Sequence, residues 1–152
     1  MKKLVTTTRI LLGLIFTVFG LDFFLHFMPA GAVSEAGGAY LEALFNTGYM
    51  FPVIKSIELG AGLLLLTGYR PQLGLALLAP ITFNIALYHL FLDPNGIILG
   101  MLVAALEVFL LWAYRDAFKS LFQATKVHAE PVRTGAALEA RPLGIEPGAT
   151  LS

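Results

Sequence analysis

"KSIELGAGLLLLTGYRPQLGLALLAPITFNIALYHLFLDPNG", residues 55–96, contains two apolar runs separated by the turn-forming residues GYRPQ. Counted from Met50, the first run reaches Tyr69, and the second extends from Leu73 to Leu92. Each is about 20 residues long, the length a helix needs to cross about 30 Å of hydrocarbon. Outward from this pair, two more apolar stretches complete a set of four at about residues 8–28, 50–69, 73–92 and 96–114. The linkers "MPAGAVSEAGGAY" and "LDPNG" carry turn chemistry of their own. Unpaired backbone cannot face lipid, so spans of this length must be helices.

The whole composition agrees with a membrane chain. Of its 152 residues, 57% are hydrophobic and 13% charged, and mean hydropathy is +0.78. A soluble domain carries about 25% charged residues. The expected fold is therefore all-α, an integral membrane four-helix bundle within residues 1–128 and in contact with the lipid bilayer. Residues 129–152, rich in Pro, Gly and Ala, are expected to form a disordered tail. A formal net charge of +0 gives no reason to expect a nucleic-acid partner. The absence of cysteine excludes disulfides, thiolate metal sites, iron–sulfur clusters and a thiol relay.

Basic residues orient the bundle. Lys2, Lys3 and Arg9 flank the first span, Arg70 lies between the second and third, and Arg115, Lys119 and Lys126 follow the fourth. The first and third linkers contain Glu35, Glu42 and Asp93 but no Lys or Arg. The positive-inside rule then places both termini in the cytoplasm. "AYLEALF", after Ser34, is amphipathic and is expected to form a short interfacial helix in the first extracytoplasmic loop. The basic start and Ala30-Gly31-Ala32 also fit a cleaved signal peptide, but Asp22 and His26 lie where such a peptide is bland. R-x-x-L-G-L recurs from Arg9 and from Arg70, a weak sign of a duplicated helical hairpin.

Ionisable groups inside spans cost about 2.5–3.5 kcal/mol each on insertion scales and usually face the bundle interior or a water-filled cavity. This chain has Asp22 and His26 in the first span, and Lys55 and Glu58 in the second. Asn84 and His89 are in the third and Glu107 is in the fourth. At about 1.5 Å per residue, most of them fall in the outer half of the bundle. Asp22/His26 at i,i+4 and Lys55/Glu58 at i,i+3 each share a helix face. Asn84 and His89, five residues apart, point about 140° apart and cannot aim at one spot in a regular helix. Together these seven residues form the candidate polar site, with no catalytic role assigned to any of them. Lys55 and Glu58 taken alone would also serve as a mutually neutralised pair that only packs helices.

The order of "GLDFFLHFMP", K-x-x-E, LAP-x-x-x-N, YHLFLDP and W-A-Y-R resembles the DoxX-like family of small four-helix membrane proteins, over about residues 8–119. The resemblance implies a multi-pass protein of the bacterial inner membrane. It further implies a link to quinone oxidoreductases, since the family is named after a membrane subunit of one. Family members that use redox cysteines are not matched here, because this chain has none.

Two functional readings follow. The first is a quinone-linked oxidoreductase subunit that takes electrons from a redox partner subunit. In it His26, His89 and Glu58 supply protons, and Lys55 or Asn84 polarises a carbonyl. "GAGLLLL" lacks the third glycine of a nucleotide fingerprint and lies within a helix. The alternative is a non-enzymatic bundle that binds or conducts a small solute, proton or lipid, or assembles with other membrane proteins. The sequence is also compatible with a homo-oligomer. Apart from quinone, no cofactor is expected. His26 and His89 are the minimum for haem ligation and nothing else argues for haem. Glu-x-x-His is absent, so no metal site is expected.

Overall fold

The protein is described from a computed structural model covering residues 1–29 and 31–122. The tail expected at 129–152 lies outside the described residues. Six α-helices run in the order α1 (Lys2–Leu25), α2 (Glu35–Asn46), α3 (Met50–Thr67), α4 (Pro71–Phe91), α5 (Ile97–Ala113) and α6 (Arg115–Phe122). A 3₁₀ turn, Pro94–Gly96, leads into α5, and no strand occurs among the described residues. The helices α1, α3, α4 and α5, the last with its 3₁₀ turn, are each long and apolar enough to cross a membrane.

Local chemistry sets the helix ends. α1 stops at Leu25 because His26 takes a left-handed conformation, φ 51°. The Asp22 carboxylate then accepts hydrogen bonds from Phe27 N (3.0 Å) and Met28 N (2.7 Å). The helix thus ends three residues short of the span read from hydropathy, which ran to Met28. α3 closes on Gly68 at φ 73° and α4 opens with Pro71 at its first turn, where a missing N–H costs nothing. Ser34 caps α2, its Oγ accepting from Gly37 N at 3.0 Å.

In the bundle α1 packs on α3, α3 on α4, α4 on α5, and α5 returns to α1. Small residues permit the closest approach. A Cβ at Gly13 would lie 2.8 Å from Leu66 N and 3.0 Å from Gly62 O, so α1 and α3 meet backbone to backbone. Gly74, the matching glycine of the R-x-x-L-G-L pattern, also packs on α3, near Ala61 O. Both glycines of the shared pattern thus seat their helices on α3. Arg9 donates from Nη1 to the carbonyls of Leu65 and Leu66, placing a cation at the C-terminal end of α3.

The core is a column of Leu12, Phe16, Leu65, Leu75, Leu78 and Leu110. Only 22–28% of each span's most apolar window is buried within the chain. Phe83, Phe91, Ile98 and Val108 are exposed, so the exterior is compatible with lipid contact.

α2 is tied down by a buried carboxylate. Asp93, 3% exposed, accepts from Ser34 N (3.0 Å) and Asn95 Nδ2 (3.1 Å), while Ser34 Oγ donates to Leu92 O. Asp93→Ala removes both acceptor contacts and leaves the half-buried Ser34 N–H without its partner, which costs about 1 kcal/mol. The expected result is a lower melting temperature with faster amide exchange confined to α2 and its flanks.

Candidate functional site

A cavity of about 440 Å³ lies at the end of the bundle where α2 sits, with α1, α3, α4 and α5 all contributing to its walls. Most of the lining is apolar, including Phe16, Phe19, Phe51, Ile54, Ile81 and Val103. The polar side chains Tyr40, Lys55, Glu58, Asn84, Tyr88 and His89 also line it.

On the α3 wall, Lys55 Nζ donates to Glu58 Oε2 at 2.8 Å. The Glu58 side chain is 4% exposed and that of Lys55 21%, so the carboxylate is the more deeply buried end of the pair. Among the described residues each is the other's ion-pair partner, and the largely buried Glu58 carboxylate depends on that ammonium.

The α4 wall resolves the angular conflict of Asn84 and His89. Asn84 turns to α2, its Nδ2 donating to Tyr40 Oη at 3.0 Å. His89 turns to α5, where its ring occupies the space left by Gly96 and Gly100. A Cβ at Gly100 would come within 2.5 Å of the ring. The two residues thus keep the divergence the helix imposes, and the cavity is wide enough to include both. His89 Nδ1 lies 2.9 Å from Asp93 O, an acceptor, so Nδ1 carries the hydrogen and donates. In the neutral ring, Nε2 is then the nitrogen left to accept.

Of the seven residues singled out in the sequence, Lys55, Glu58, Asn84 and His89 line this cavity. Asp22 and His26 do not. Their shared face required a helix through position 26, and α1 has already ended there: Asp22 is spent on the loop N–H groups, and His26 is exposed. Glu107 is one turn along α5 from Val103, beneath the cavity. It is 2% exposed, and the polar group its carboxyl faces among the described residues is the hydroxyl of Thr82 on α4. That hydroxyl is itself buried, so the two polar groups meet away from water with no other hydrogen-bond partner among the described residues.

Tyr40 and Tyr88 are the site residues that sequence reasoning missed. Tyr40 looks like an interfacial aromatic, yet its ring packs tilted against Tyr88, centroids 5.7 Å apart, and its hydroxyl bonds Asn84. The available signal was Gly37, whose missing side chain lets α2 approach within van der Waals range of Tyr88 and Asp93. Among the described residues no three His, Asp or Glu side chains converge as ligands of a single metal ion. No protein-family model, no curated protein and no solved structure matches the chain.

Proposed function

We propose that this multi-pass membrane protein binds a lipid-soluble quinone-type molecule in the α2-covered cavity and serves as the membrane subunit of a quinone-linked oxidoreductase. The observation that carries the reading is an apolar cavity of about 440 Å³ edged by an ion pair, an amide and an imidazole. That volume is within the 300–1,000 Å³ usual for small-molecule sites. A quinone head has an apolar ring and hydrogen-bond-accepting carbonyls, and when bound it would supply two-electron, two-proton chemistry. Lys55 and Asn84 carry N–H donors suited to carbonyl oxygen. Glu58 and His89 are the proton-holding groups on the adjacent α3 and α4 walls. Electrons would come from a redox partner, since the chain has no cysteine and no nucleotide fingerprint.

The same proposal includes membership of the DoxX-like family and a bacterial inner-membrane location with both termini cytoplasmic. Under that topology the cavity lies in the outer half of the bilayer and α2 covers its extracytoplasmic side. Binding without catalysis is the second reading, favoured by a sequence with neither cysteine nor a nucleotide fingerprint.

The test is a melting-temperature titration of the purified full chain with a short-tailed quinone analogue, alongside Glu58→Gln and His89→Ala. A saturable rise is expected for the wild type, with affinity lowered at least tenfold in each variant at unchanged helix content. No shift in the wild type would remove the quinone reading.

A further inference from the structure

Another cleft among the described residues is at the opposite end of the bundle, where the start of α1 meets the end of α5 and the first residues of α6. Its volume is about 490 Å³. Leu4, Val5 and Phe109 line its apolar part, and Lys2, Arg115 and Asp116 its polar part. Arg115 lies 4.7 Å over the Trp112 ring and gives one Nη1–H to Trp112 O at 3.0 Å. A guanidinium has five N–H donors, so this anchoring aims the group without exhausting it. The acidic member, Asp116, is paired with Lys119 at 2.6 Å, and that contact, with a smaller pull from Arg115, holds its carboxyl below the usual carboxylate range. The charge left to meet a ligand is therefore positive.

A cationic rim on an apolar cleft at the end of a membrane span matches an amphiphile with an anionic head. α5 ends at Ala113, so Arg115 stands where its span gives out and lipid phosphates begin. Basic pockets between spans at that level recognise lipid head groups. From the geometry we propose that the α1/α5/α6 cleft binds one anionic phospholipid, its phosphate on Arg115 and Lys2 and an acyl chain against Leu4, Val5 and Phe109. The proposal depends on the helices crossing a bilayer and is independent of what occupies the α2-covered cavity.

Native mass spectrometry of the detergent-solubilised full chain, titrated with a phosphatidylglycerol, tests it. Each basic group near an anionic lipid contributes about fivefold in affinity. The double variant Lys2→Gln/Arg115→Gln should therefore bind about thirtyfold more weakly, while Arg70→Gln, which removes a charge outside the cleft, should bind like the wild type. Phosphatidylcholine of the same chain length should bind at least tenfold more weakly than phosphatidylglycerol. Equal loss in Arg70→Gln would show diffuse surface attraction and overturn the proposal. So would undiminished binding in the double variant or equal binding of the two lipids. Competition by millimolar inorganic phosphate alone would overturn the assignment to a lipid.

Discussion

Gly13→Leu is expected to prevent the bundle from closing, because the space its side chain would need is filled by the backbone of α3. The first atom added already meets Leu66 N at 2.8 Å and Gly62 O at 3.0 Å. Neither can rotate away as the tip of a flexible side chain would. Overpacking costs about 1–3 kcal/mol in ordinary cores and more where nothing can yield, so a loss of at least about 3 kcal/mol is expected. In membranes the burial of apolar surface gives little drive for helices to associate, so close packing must supply it. Gly60 on α3 is the control, since a Cβ there meets nothing within 4 Å. Gly60→Leu should unfold at the wild-type denaturant concentration or slightly above, and Gly13→Leu should fail to give a cooperative melt.

Lys55→Met should be the most costly single change around the cavity. It leaves the Glu58 carboxylate, 4% exposed, without the ammonium 2.8 Å away. Removing one partner of a buried pair costs about 3–5 kcal/mol, and the lower figure applies because Lys55 keeps some solvent contact. Lys55→Met/Glu58→Leu removes both charges and should recover most of the lost stability. A pair present only for packing would make that double variant a full replacement. If the pair serves a ligand, the double variant folds and no longer binds the quinone analogue. Thermal melts with and without the analogue, on all three proteins, separate the two cases.

Much of the fold was legible because span length and hydropathy are properties of the chain taken twenty residues at a time. The GYRPQ turn and the LDPNG turn both lie where the structure turns. The site was legible only where residues stay on a regular helix. Lys55 and Glu58 do, and they line the cavity together. Asp22 and His26 share a face only while α1 continues, and one left-handed residue ends it. Tyr40 joined the site through tertiary packing of a short helix, and hydropathy records no such contact. Glu107 was found as a buried acid, but its position one turn beneath the cavity depends on how α4 and α5 pack.

The central claim is that the cavity walled by Lys55, Glu58, Asn84 and His89 holds a quinone-type ligand. A photoreactive azidoquinone, activated on the full chain in lipid nanodiscs and mapped by peptide mass spectrometry, addresses it directly. The account predicts labelling confined to the cavity-lining segments of α1, α2, α3, α4 and α5. That labelling should be abolished by excess unlabelled quinone and absent from Lys55→Met/Glu58→Leu. Label spread over lipid-facing residues such as Phe83 and Ile98, unaffected by competitor, would contradict it.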